Sequence, residues 1–347
     1  MRLILNRTCL VSAAIGHGIG LRKPRFDESF SPSILPSQLN HLARLIALLV
    51  LCFTALAPLA VPCHAQELDP RRWSHLPIDT NFAAVRYAYT EADITLDPTL
   101  LIEGGKKEMH TWAFGYIRTF KLLDKSARFD LVQAWEKGRW NGLLDGVPAA
   151  TDRGGMSDTS ARFAINLIGA PPLAGKEYAA YRAAVKKETI VGAALAVQLP
   201  TGEYKKDKLI NLGRNRYTFR PQLGVVHNRN RWSFEVTGAA WFFTNNESFF
   251  EGNRLEQDPF YTLQAHVVHT FHSRLWLHAG AGYGYGGETA VNGVDKNNRK
   301  ENFVWGIGAG YPITRQLAIK AGYIQTRSQT SIGEDSDTIT IGFSTFW

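Results

Sequence analysis

The feature that most constrains this 347-residue chain is a succession of long segments whose side chains alternate between apolar and small or polar. The last segment shows the pattern. In Asp337-Thr-Ile-Thr-Ile-Gly-Phe-Ser-Thr-Phe-Trp347, Ile339, Ile341, Phe343 and Trp347 share one face, and Thr338, Thr340, Gly342 and Ser344 share the other. Neighbouring side chains of a strand point to opposite sides, so a period of two marks a sheet with one apolar surface. Twelve such segments are read near 80–91, 110–120, 127–138, 159–168, 189–199, 215–226, 231–243, 260–271, 274–285, 302–312, 315–326 and 337–347. Lengths of roughly 10–13 residues match a tilted strand that crosses a bilayer. They exceed the ~5–6 residues common in soluble sheets.

The connections carry a second signal. Short ones (121–126, 227–230, 271–273, 312–314) alternate with long ones (92–109, 139–158, 200–214, 244–259, 286–301, 327–336). Short turns at one end and long loops at the other are the pattern of a transmembrane β-barrel. The expected fold is therefore all-β: an antiparallel up-and-down barrel of about twelve strands over 79–347, its last strand pairing with its first. One connection breaks the alternation. Residues 169–188 should be a short turn on the periplasmic side, yet Lys176–Lys187 (KEYAAYRAAVKK) after Pro171-Pro172 reads as a short periplasmic helix. It is either a solvated helix beneath the barrel or a partial plug of its mouth.

The start of the chain sets the compartment. Residues 1–40 have no useful period and read as a mis-assigned start or unstructured leader. Residues 41–65 read as a secretory signal: His41 and Arg44, an apolar stretch from Leu45 to Ala57, then Cys63-His-Ala65 before Gln66. The apolar run is about 13 residues, suited to an export signal and too short to span a bilayer as a helix. Cleavage is expected after Ala65, leaving 66–78 as a periplasmic N-terminal segment. All three cysteines (Cys9, Cys52, Cys63) precede that cut, so neither a disulfide scaffold nor a thiol site is expected in the mature chain. The net charge of +8 comes from scattered basic residues that form no stripe or basic helix, which argues against nucleic acid.

On the inner face fall Arg86, Asp130, Glu136, Arg162, Arg220, Glu235 and Lys320. An Arg or Lys facing lipid near the midplane costs about 2–4 kcal/mol, so these groups must face water or each other. They form either a satisfied network filling a narrow barrel or the lining of a pore. The short turn between their strands suggests that Arg220 and Glu235 approach one another. His266 and His278 face inward on adjacent strands. With no third ligand at a supporting spacing they read as hydrogen-bonded interior histidines, and no metal or cofactor is expected. Tyr217, Trp232, Phe242, Tyr283, Tyr285, Trp305, Tyr311, Tyr323 and Trp347 face outward and read as interfacial anchors. No catalytic constellation is evident, since Ser233 and Ser273 lack His–Asp or His–Asn partners.

Several stretches carry a family resemblance. Leu199-Pro-Thr-Gly-Glu-Tyr204, Lys208-Leu-Ile-Asn-Leu-Gly-Arg-Asn-Arg216 and Phe219-Arg-Pro-Gln-Leu-Gly224 resemble the outer-membrane transporter family of the meta-pathway of phenol degradation. Asn166–Pro171, Trp241–Asn246, Leu255–Pro259 and Tyr283–Gly287 are similar to it as well, and Trp276–Gly282 departs by being less polar. The resemblance implies an outer-membrane barrel that passes hydrophobic or aromatic molecules, and it brings no catalytic residues. The 200–216 segment is expected to be an external loop, since it follows an outward-running strand. There Glu203, Tyr204, Asn211, Arg214, Asn215 and Arg216 either fold into the mouth as a constriction or bond the loop to itself around turns at Pro200, Gly202 and Gly213.

The reading is thus a monomeric bacterial outer-membrane channel for passive passage of small hydrophobic or aromatic compounds. Its expected partners are outer-membrane lipids and lipopolysaccharide, the barrel-assembly machinery and those solutes. The alternatives are an envelope barrel without transport and an outer-membrane lipid-modifying enzyme.

Overall fold

A computed structural model describes residues 68–95, 102–144 and 146–347. The expected leader, signal and cleavage site lie outside the described residues. Twelve strands form one barrel: β1 (Asn81–Thr95), β2 (Ile102–Leu122), β3 (Lys125–Leu144), β4 (Thr159–Ile168), β5 (Lys187–Leu199), β6 (Thr218–Arg229), β7 (Trp232–Phe243), β8 (Phe260–Thr270), β9 (Trp276–Gly286), β10 (Lys300–Pro312), β11 (Ala318–Ser328) and β12 (Gly333–Phe346). Each pairs antiparallel with its sequence neighbour, and β1 pairs with both β2 and β12, so the sheet closes on itself. Closure leaves no row of unpaired amides, which hydrocarbon would not tolerate. A hairpin strand, Val147–Met156, extends the far half of β3, while the near half pairs with β4.

The turns set the register. Between β2 and β3 only Leu123 and Asp124 intervene, both at positive φ (48° and 56°), the primed geometry whose twist matches the flanking strands. Between β6 and β7 the pairing of Arg229 with Trp232 propagates to Val226 with Glu235 and Phe219 with Phe242. This corrects one expectation: Arg220 and Glu235 do not meet. They lie six positions apart along the hairpin ladder, about 20 Å at the rise of a strand.

The faces follow the sequence alternation. Leu223, Ile307 and Ile339 are 64 %, 52 % and 63 % exposed, and Tyr217, Trp232, Phe242, Tyr285, Tyr311 and Trp347 are exposed with them. Inward residues such as Arg162, Gln222, Glu235, Thr237 and His266 are buried. This inside-out polarity suits an apolar solvent around a polar interior. Among the described residues no helix is long and apolar enough to cross a membrane.

Several strands run further than their apolar alternation. β1 reaches Thr95, β2 begins at Ile102, and the 327–336 connection shrinks to 329–332. In the last case the Asp335 carboxylate accepts from the Ser328 N–H at 2.5 Å, and the ladder continues through polar residues. The helix, α1, spans Gly175–Ala184 and buries no side chain fully. The 66–78 segment, expected on the periplasmic side, packs from Leu68 onward against the inward faces of the strands. Trp73 is almost wholly enclosed there, in a cluster with Ala164, Ala170, Ile190 and Val226.

Candidate functional site in the lumen and mouth

The lumen near the short-turn end is organised by residues 68–80. Gly192 and Gly224 face each other across β5 and β6. A Cβ on Gly224 would lie 1.9 Å from the Trp73 indole nitrogen, and one on Gly192 would lie 2.4 Å from its ring. The paired glycines therefore make a slot that a flat ring fills. The Trp73 indole N–H donates to Thr237 Oγ1 at 2.9 Å, and the Arg162 guanidinium lies 4.9 Å over the ring.

The inner charges find partners around this segment. Arg162 donates to Asp130 Oδ2 (2.9 Å) and Gln222 Oε1 (2.8 Å). Both Glu235 oxygens accept the Arg71 backbone N–H, at 2.9 and 2.8 Å. The Arg71 side chain donates to Thr270 and lies 4.6 Å over Trp276. Asp69 pairs with Lys320 and, at 3.4 Å, with Arg86. Burial alone would raise the Asp69 carboxyl, but these cations hold it well below the usual carboxylate range. Burial lowers His75, which favours a neutral ring; Nε2 then donates to Pro171 O at 2.8 Å, and the Tyr178 hydroxyl of α1 donates to His75 O. His266 and His278 sit with ring centroids 6.2 Å apart, where Gly280 and Gly308 leave room for their rings. Among the described residues no three His, Cys, Asp or Glu side chains gather as metal ligands.

At the long-loop end, the 200–217 loop folds over the barrel. Asp158 anchors it by accepting from the Gly202 and Arg214 N–H groups, each at 3.0 Å. The Glu203 N–H donates to Met156 O, and Asn211 bonds the backbone of Lys205 and Lys208. Asn246 is buried between Asn215, Tyr204 and Arg214 O. Beneath the loop lies a pocket of about 260 Å³. Of the six loop candidates, Tyr204, Asn211, Arg214 and Arg216 line it, while Glu203 and Asn215 support it from outside. The Arg220 guanidinium lies 4.2 Å over Trp241, on the pocket wall.

Sequence reasoning missed two sets of residues. Asp69, Arg71 and Trp73 have no period to mark them, and their signal is the glycine pair, visible only once the register is known. Trp241 and Phe243, on the pocket wall, were legible in principle, because they share the inward parity of Glu235 and Thr237.

A closed barrel, apolar outside and polar within, defines a transmembrane β-barrel of the outer-membrane class. Within that class the chain belongs to the family described as "Putative MetA-pathway of phenol degradation", whose model matches residues 88–333. The chain is similar in fold to the COG4313 outer membrane channel from Pseudomonas putida F1, at a TM-score of 0.67 and 20 % identity, over 81 % of this chain and all of that one. The β domain of the Bordetella autotransporter BrkA (TM-score 0.43, 9 % identity, covering 78 % and 100 %) and the CymD monoaromatic hydrocarbon channel (0.41, 6 %, covering 78 % and 89 %) are more distant. Likeness at that level supports no statement about this chain. Among curated proteins none matches it in sequence.

Proposed function

We propose that the protein is an outer-membrane channel for passive passage of small hydrophobic or aromatic compounds. The observation that carries the reading is the pairing of an aromatic-lined mouth pocket with a lumen crossed by residues 68–80. Trp241, Phe243, Phe249 and Phe260 offer rings to an incoming solute. Below them the Trp73 segment fills the polar interior, so bulk water has little room to follow. A solute leaving the pocket has a side route. The ladder between β6 and β7 skips Arg220 and Pro221, beside the pocket wall, because proline has no N–H to donate. In this reading the long-loop end faces the exterior, the apolar band meets lipid and lipopolysaccharide, and the assembly machinery inserts a monomer exported by its signal.

Reconstitution tests the proposal. Vesicles holding the mature protein should take up phenol-sized aromatics faster than empty vesicles, with ion conductance small in a planar bilayer. Equal uptake with and without the folded barrel would remove the channel role.

A further inference from the structure

Resting on the channel reading above, the geometry points to a binding site for a small aromatic carboxylate in the mouth pocket. The walls divide into two kinds of surface. Trp241, Phe243, Phe249 and Phe260, with Leu209 and Leu255, form an apolar surface suited to a ring. The charged lining residues are Arg214, Arg216 and Lys300, all cationic, with no carboxylate among them. Asp158, whose charge reaches Arg216, has its two oxygens bonded by the Gly202 and Arg214 N–H groups.

Arg216 is the decisive residue. It is 7 % exposed and lies 4.8 Å over the Phe243 ring. Only Nη2 has an acceptor, the Gln257 side chain, while Nε and Nη1 are buried without an acceptor on the protein. The Trp241 indole N–H, on the same pocket, is likewise buried and unclaimed. A buried donor without a partner is costly, more so when charged, so Arg216 and Trp241, both on the pocket wall, favour a guest that brings acceptors. The neighbouring polar groups do not serve. The Asn211 and Asn246 amides, the Gln257 amide and the Tyr204 hydroxyl are already engaged with the backbone and with one another. Burial pulls the Arg216 guanidinium down to about 10, which leaves it charged at neutral pH. A cavity of about 260 Å³ lies below the roughly 300–1,000 Å³ of drug-sized pockets, which suits a single substituted ring. A carboxylate on such a ring places anionic oxygens at Arg216 and Trp241 and its face against the phenylalanines.

Titration calorimetry on the folded mature chain in detergent, with benzoate, neutral benzyl alcohol and non-aromatic acetate, tests this. Benzoate should bind at least tenfold more tightly than either analogue. Arg216→Gln should remove that preference, and Trp241→Phe, which keeps a ring but loses the donor, should weaken benzoate several-fold. Retention of heat-modifiable gel mobility shows that each variant is folded. Benzoate binding no tighter than benzyl alcohol, or unaltered by Arg216→Gln, overturns the site. Vesicle uptake of benzyl alcohol by the unmodified protein is read separately. Uptake without benzoate preference removes the anion site and keeps the channel, whereas benzoate preference without uptake does the reverse.

Discussion

The two ends of the barrel solve the problem of interior polarity in opposite ways. Near the short turns, the chain supplies its own occupant. Trp73 fills a glycine slot, Asp69 answers Lys320 and Arg86, and the Arg71 amide answers Glu235. Under the long loops, Arg216 and Trp241 keep donors that no protein atom accepts. A buried polar group is stable only when partnered. The first region is thus mostly filled by the chain itself, with Arg162 Nη2 and the Nδ1 atoms of His75, His266 and His278 left over, while the second keeps an open pocket beside its unclaimed donors.

The largest effect should come from emptying the first region. Trp73→Ala should raise ion conductance several-fold in a planar bilayer and lower resistance to urea by about 3–5 kcal/mol, the usual cost of truncating an enclosed tryptophan. Gly224→Val keeps the indole but removes its slot, and should raise conductance alike. Conductance unchanged in both would mean that the segment does not limit passage, and the contrast between the two ends would fail. Next in size is the tenfold loss of benzoate preference in Arg216→Gln.

Pro221→Val comes third. It restores a ladder N–H between β6 and β7 and should slow uptake of neutral aromatics a few-fold, leaving ion conductance as it was. Uptake unaffected would place the exit elsewhere. The smallest effect is expected from Asp69→Asn, about 1 kcal/mol of stability for an ion pair that solvent still partly screens. Because the folded carboxyl is held low, its contribution is present at neutral pH and fades only as pH falls below about 4, the ordinary aspartate value. Urea midpoints of the wild type and Asp69→Asn should converge under acid; a constant gap from pH 7 to 3 would contradict the assignment.

The barrel was legible because membrane strands write their faces into the sequence. Ile339 and Ile341 alternate with Thr338 and Thr340, and no tertiary detail is needed to see it. Strand ends were less legible. Beyond the apolar band, pairs such as Glu91 with Glu108 are polar on both faces, so the ladder continues without a periodic signal. The inward placement of Arg162, Glu235 and His266 followed from parity alone. Their partners did not, because Glu235 is met by a residue 164 positions away on a segment without regular structure. Arg220 teaches the same lesson from the other side: turn length, through the hairpin register, decided that it would stack on Trp241 and stay away from Glu235.

The position of Asp69 has one more consequence. Arg86 on β1 and Lys320 on β11 are both paired in register with Gly342 of β12. A single carboxylate thus spans the two ladders that hold the final strand, over a residue with no side chain to obstruct it. The junction of first and last strands is where a closed cylinder must be zipped during biogenesis, and where it would unzip. A carboxylate carried by the chain's own N-terminal segment thus braces that junction from within the lumen.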